Sequence, residues 1–342
     1  RGADSILRAA GALMATGPDP EVAFFHAVIS KDHPAGRAAL ARLALEAPST
    51  ITNAVHRLTA YARDPAMADT VLQRAFRAGF ATADARGAHY LAVVIAATQG
   101  QLVRALREAD AVAESNPGEA LELRALLLTT PASSHLVRER ASVLRRLQSD
   151  NRHSGAHTDL TSASGLGRLT RWYLLGLFAA QAWDTLAAIH FADSLTSAKP
   201  TTSGSNVATV FSAGLRAHVL SLKGQPEAAL ATLAAAPEPN QGVHGQLVAS
   251  QLNERLLRGR LLEGLDRSEE ALDVYGSLVF GDANSFLLAA PAALHRARLL
   301  VRLGRSPEAK ADYATFLRTW ARADPALQPV VDSARREMAR VR

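Results

Sequence analysis

Cysteine is absent from the 342 residues, which excludes disulfides, thiolate nucleophiles and Cys-ligated metals. Its absence fits cytoplasm and periplasm alike. Aromatics are scarce, at 5% against 48% hydrophobic residues, so the core must be built mainly of Ala, Leu and Val. Small apolar side chains suit closely packed helices better than sheets, which favour β-branched and aromatic residues. Lysine is nearly missing: Lys31, Lys199, Lys223 and Lys310 are the only four among 38 basic residues. The formal charge of +6 is therefore an arginine property. A GC-rich genome encodes such a composition, and a basic surface for acidic partners would produce the same balance. Long apolar runs are lacking too. The longest candidate, Leu169 to Ile189, is broken by Arg171, Gln181 and Asp184, and a membrane-spanning helix needs roughly 18 to 20 apolar residues. The chain opens on Arg1 rather than Met. The expectation is that a signal peptide, an anchor or a whole domain precedes it in the gene product.

Catalytic signatures are equally thin. The nucleophile elbow Gly-x-Ser-x-Gly does not occur, and nothing singles out a Ser/His/Asp trio. "SGLGRLT" places glycines before a helix but lacks the Lys-Ser/Thr of a phosphate loop and a preceding strand. "HSGAH" sets His153 and His157 four apart, flanked by Asp150 and Asp159. On a helix that spacing lets two imidazoles share a metal, but the Gly and Ser around them argue for a loop, and no Glu lies between them. The reading is therefore no enzyme, no catalytic residue, no metal and no cofactor.

What is present is a repeat. "ERLLRGRLLEGLDRSEEALDVYGSLV", from Glu254 to Val279, reads as a helix, a tight turn and a second helix. Leu257, Leu261 and Leu265 recur at four-residue steps, one face of a helix. Ser268, Glu269 and Glu270 mark the next helix start, with carboxylates at the positive dipole end. Ala271, Tyr275 and Leu278 form its apolar stripe. The same template slides along the chain. Ala187, Ala229, Ala271 and Ala309 stand 42, 42 and 38 apart. Each follows a turn residue by five (Ala182, Gly224, Asp266, Gly304) and precedes a bulky residue by four (Phe191, Leu233, Tyr275, Tyr313). Small residues where helices meet, with large ones a turn later, suit interlocking hairpins. A fainter copy has Gly100, Ala105, Asn116 and Pro117.

These residues resemble the tetratricopeptide repeat family. Gly259, Ala271 and Tyr275 match its small residue, second-helix Ala and following aromatic; Gly304, Ala309 and Tyr313 match in the last copy, and Gly100, Ala105 and Pro117 in the faint one. The period departs from the family's 34 residues. The early aromatic of its first helix is missing at the aligned positions Arg171, Ala213, Arg255 and Ala293. The resemblance implies an all-α fold, a right-handed superhelix of stacked antiparallel helical hairpins. The expected division is irregular helical hairpins over 1–149, as degenerate repeats or a separate helical bundle, an exposed polar linker at 150–166, and repeats with a C-terminal capping helix over 167–342. Further helices are expected at Ser5 to Ala15, Gly36 to Glu46, Ile51 to Ala62, Ala66 to Ala78 and Ala83 to Thr98, with Pro or Gly at the breaks. The final helix carries Arg335, Arg336, Glu337 and Arg340 on its outer face, a polar cap for the array's open end. Such endings are similar to repeat arms of bacterial signalling proteins, including some kinases.

In stacks of that family the first helices line a concave groove. The register places Gly176, His218, Arg260 and Arg298 there, with Arg302 one turn beyond. A column of His218, Arg260, Arg298 and Arg302 suits a carboxylate-rich tail or an acidic protein surface, unless an acid of the chain such as Glu263 satisfies it. The expected function is a protein-protein interaction scaffold, adaptor or subunit of a larger assembly. The alternatives are the sensing arm of a signalling protein and nucleic-acid binding through Arg-rich helices. In "LVRERASVLRRL", Leu136, Val137, Leu144 and Leu147 share one side, and Arg138, Arg140, Arg145 and Arg146 mostly face water. Nucleic acid is disfavoured there because no aromatic platform accompanies the charge.

Overall fold

The computed structural model describes residues 65–78, 82–153, 167–198, 206–238, 251–279 and 286–341, with single residues at 23, 35, 38, 39 and 55. Among them there is no strand, and neighbouring helices pack in pairs. The fold is all-α. The chain forms two compact units, Arg1–Ile95 and Ala96–Arg342. This division falls upstream of the polar stretch at 150–166.

The first unit contains α1 (Pro65–Ala78) and most of α2 (Thr82–Thr98). Proline opens α1, where its missing N–H breaks no helical bond. Ala68, Val71, Leu72 and Ala75 follow the i, i+3, i+4, i+7 pattern and are buried with Ala88, Ala92 and Ile95. The helices expected at Ser5–Ala15, Gly36–Glu46 and Ile51–Ala62 lie outside the described residues, apart from helical Ala38, Ala39 and Val55.

The second unit contains α3 (Leu102–Ser115), α4 (Pro117–Leu128), α5 (Val137–His153), α6 (Arg168–Gln181), α7 (Thr185–Thr196), α8 (Val207–Leu222), α9 (Pro226–Ala235), α10 (Leu252–Gly264), α11 (Ser268–Val279), α12 (Phe286–Arg302), α13 (Ser306–Thr319) and α14 (Gln328–Arg340). Each of α6 to α13 touches the next helix in the chain, and α6, α8, α10 and α12 also touch one another in succession.

Among the described residues one turn recurs five times. Gly100, Trp183, Gly224, Asp266 and Gly304 adopt left-handed φ values of 71°, 62°, 70°, 57° and 73°. In each case that residue's N–H reaches back three residues, and the next N–H reaches back five. At Gly304 the bonds run to Val301 O at 3.1 Å and from Arg305 to Leu300 O at 2.9 Å. At Trp183 they run to Ala180 O and from Asp184 to Ala179 O, both at 3.0 Å. These are Schellman closures, which satisfy the last carbonyls of a helix. Five residues on stand Ala105, Ala188, Ala229, Ala271 and Ala309, all fully buried.

The turns correct the repeat register by one residue in the first regular copy. The left-handed residue is Trp183 rather than Ala182, and the buried second-helix residues are Ala188 and Ala192 rather than Ala187 and Phe191. Gly176 then falls at the small position shared with Ala217, Gly259 and Ala297. A Cβ on Gly176 would lie 2.3 Å from Leu215 Cδ1, so this glycine is a helix-packing residue and not a groove residue. The position aligned with Ala213, Arg255 and Ala293 becomes Trp172.

Other differences are local. Helix α5 runs on through His153, past the expected start of the linker; His157 lies outside the described residues. Val137 is exposed and Val143 is buried, with Leu136 and Leu147. Ser268 is the first residue of α11, and Glu270 takes both oxygens to Arg267 at 2.7 Å. Glu337 does not face outward on α14; Arg335, Arg336 and Arg340 do.

The two ends of the second unit meet. The Trp320 Nε1–H donates to Thr98 O at 3.2 Å, Asp324 N–H donates to Gly100 O at 3.0 Å, and Asp324 Oδ2 accepts from Val103 N–H at 2.9 Å. Gly100 faces Ala323 and the Trp320 ring, and a Cβ there would approach Ala323 Cβ to 2.9 Å. The segment that leads into α14 is therefore bonded to the turn that opens the unit.

Candidate functional site

Helix α10 shows how the site is assembled. Leu256, Leu257 and Leu261 are buried in the unit, while Asn253, Leu257 and Arg260 recur at i, i+4 and i+7 and so share one face. That face lines a cleft of about 560 Å³. His218, Ser221 and Leu222 of α8 form a second wall, again at i, i+3 and i+4. The end of α6 adds Ala180 and Gln181, the segment after α4 adds Thr129, Thr130, Pro131 and Ser134, and α5 adds Arg140. Among the described residues no acidic side chain lines it.

The polar wall is a connected network. The Thr129 hydroxyl donates to Leu126 O at 2.7 Å and accepts from Asn253 Nδ2 at 3.2 Å. Gln181 Nε2 donates to Thr129 O at 2.6 Å, and Gln181 Oε1 accepts from the Arg140 guanidinium at 2.8 Å. The other arm of Arg140 donates to Leu128 O. The guanidinium lies 5.2 Å from the Phe178 ring centroid. Burial lowers the Arg140 pKa from its ordinary value of 12.5, because desolvation penalises the charged form.

Behind His218 lies a buried carboxylate. Glu254 is 3% exposed, its Oε1 is 3.5 Å from His218 Nε2, and the Tyr173 hydroxyl lies 2.7 Å from both its oxygens. The His218 Nε2 atom itself makes no hydrogen bond. Burial first, then the Glu254 charge, pushes the Tyr173 hydroxyl well above its ordinary range. Gly214 gives the carboxylate room, since a Cβ there would lie 2.7 Å from Glu254 Oε1. Tyr173 stacks on Phe211 with centroids 4.3 Å apart.

Of the four expected groove residues, His218 and Arg260 line this cleft. Arg298 and Arg302 are held by acids of the chain. Arg298 grips Glu337 through two bonds of 2.8 Å, and Tyr313 and Ser333 add bonds of 3.0 Å. Arg298 is the main cause that holds Glu337 down to about 2. Arg302 donates to Glu263 at 2.7 Å, and Tyr275 donates to the same carboxylate at 2.8 Å. The His295 imidazole, 3.7 Å away, does most to bring Glu263 down to about 2, with Arg302 and Tyr275 reinforcing it against burial. Glu337 comes from the last helix, too far along the chain for the repeat register to reveal.

Arg140 is the functional candidate that the sequence reading put on the wrong side. Arg138, Arg145 and Arg146 are exposed as expected, but Arg140 is half-buried and turned to the cleft. Its one sequence signal is that it falls three or four residues from buried Leu136 and Val143. Among the described residues no three His, Asp or Glu side chains gather as metal ligands, and no helix is long and apolar enough to cross a membrane. No protein-family model matches the chain, and no curated protein matches its sequence.

Proposed function

We propose that the second unit is a right-handed superhelix of stacked hairpins of the tetratricopeptide-like kind. We propose further that the chain serves as a non-enzymatic scaffold or adaptor which binds an acidic tail or surface of a protein partner at the cleft. Support for the architecture comes from the five equivalent turns, the successive contacts of α6, α8, α10 and α12, and the corrected register. In that register Trp172, Leu175 and Gly176 follow the Trp-x2-Leu-Gly opening of the family, and Ala271 and Tyr275 its Ala-x3-aromatic. The observation that carries the binding reading is electrostatic. Arg140 and Arg260 meet in one cleft that, among the described residues, no carboxylate lines, and cationic walls of that kind attract and orient anionic partners.

Affinity capture from the native cell extract tests this, with and without nuclease. The wild-type chain is expected to retain a stoichiometric protein after nuclease treatment. Arg260→Glu replaces an exposed side chain that forms no hydrogen bond or ion pair among the described residues, so helicity is expected to be unchanged. Capture should fall about tenfold or more, because a like charge facing an acidic group costs more than roughly 1.4 kcal/mol. Equal capture by the variant would refute the cleft as the binding face. Loss of all capture with nuclease would favour nucleic acid at Arg138, Arg145 and Arg146.

A further inference from the structure

We infer that the same cleft binds a small anionic amphiphile, a carboxylate or phosphate head on an apolar body. The inference rests on the reading of the cleft as the functional face, and it adds a ligand class that the scaffold reading does not contain.

Three observations lead to it. First, most polar groups of the wall are already engaged with one another. Thr129, Thr130, Gln181 and Asn253 all have partners within the protein. A guanidinium has five N–H donors, and Leu128 O and Gln181 Oε1 engage only part of the Arg140 set. The donors left for a ligand are thus chiefly Arg140 and Arg260, which seek an anion. Second, Ala180, Leu222, Leu256, Leu257 and Leu261 give the cleft an apolar side, and Ser134, His218 and Ser221 are the remaining polar groups of the lining. A ligand that matches both sides carries a charge at one end and an apolar body. Third, the positive charge does not run on from the cleft along α12. Arg298 and Arg302 would have extended it into a stripe, but Glu337 and Glu263 neutralise them. The arginines Arg124, Arg216 and Arg296 likewise have carboxylate partners in Asp110, Asp193 and Asp312. A cavity of about 560 Å³ lies in the range of small-molecule sites, roughly 300 to 1,000 Å³. Burial of Arg140 sharpens its attraction to an anion, since charges interact more strongly where water is excluded.

The test uses purified protein and titration calorimetry with decanoate, decyl phosphate, decanol and inorganic phosphate, each below micelle formation. Saturable one-site binding of decanoate or decyl phosphate is expected, and the stronger of the two identifies the head group. Decanol and inorganic phosphate should each bind at least about tenfold more weakly, one lacking the charge and the other the apolar body. Arg260→Glu should weaken anion binding by a similar factor, while Arg336→Glu, the same charge change on the exposed face of α14, should leave it unaltered. Ser221→Trp fills the cleft without altering charge and should also abolish binding. Absence of saturable binding by either anion, equal binding by Arg260→Glu, or equally tight decanol binding would overturn the inference. Partner capture that depends on Arg260 while no amphiphile binds would remove this inference and leave the scaffold reading intact. Amphiphile binding without an Arg260-dependent partner would do the reverse.

Discussion

Trp320→Ala is expected to destabilise the second unit by about 3–5 kcal/mol, the usual range for truncating a buried Trp. The indole is 5% exposed, packs against Phe316 with centroids 5.1 Å apart, and covers Gly100. Its Nε1–H is bonded to Thr98 O, so truncation also leaves a buried carbonyl without that donor. Further, the indole belongs to the contact that joins the unit's two ends, beside the Asp324 bonds to Gly100 and Val103. Urea unfolding followed by circular dichroism measures the loss. Limited proteolysis should show new cleavage near Gly100 and Asp324 well before global unfolding, because a terminal contact opens locally first. A change below about 1 kcal/mol would mean that the ends are not joined in solution.

Gly259→Val is expected to cost about 3 kcal/mol, at the upper end of overpacking effects. A Cβ at this position would lie 2.5 Å from Tyr275 Cε1 and 2.9 Å from Cδ1. The ring has little freedom to retreat. It is fully buried, stacks on His295 at 5.3 Å, and its hydroxyl is bonded to Glu263. Gly276, in the partner helix α11, provides the contrast. Nothing lies within 4 Å of a Cβ there, so Gly276→Ala should stabilise by roughly 0.5–1 kcal/mol through helix propensity alone. Thermal unfolding of the two variants should therefore shift in opposite directions. Shifts of the same sign would show that α10 and α11 do not approach as closely as described.

The helical hairpins were legible in sequence because turn and packing signals are local. Gly224, Asp266 and Gly304 tolerate positive φ better than other residues, and buried Ala229, Ala271 and Ala309 follow each at a fixed distance. The first regular copy misled for a physical reason. Trp183 holds a left-handed conformation that bulky residues rarely adopt, so nothing marked it as the turn, and Ala187 with Phe191 imitated the pattern one residue early. His218 and Arg260 reached the cleft because register alone places them. Arg298 and Arg302 are held instead by Glu337 and Glu263, each 39 residues away; Glu263 is foreseeable from the sequence, and Glu337, in the last helix, is not. Arg140 was missed because the contact that turns it inward, to Gln181, spans 41 residues.

Partner engagement at the cleft between α8 and α10 is tested by site-specific photocrosslinking, with a photoreactive residue placed in turn at Ser221, which lines the cleft, and at Arg336, on the exposed face of α14. A partner adduct is expected from position 221 and none from position 336. An adduct from position 336 alone would contradict this and move the binding face to the outer surface of α14.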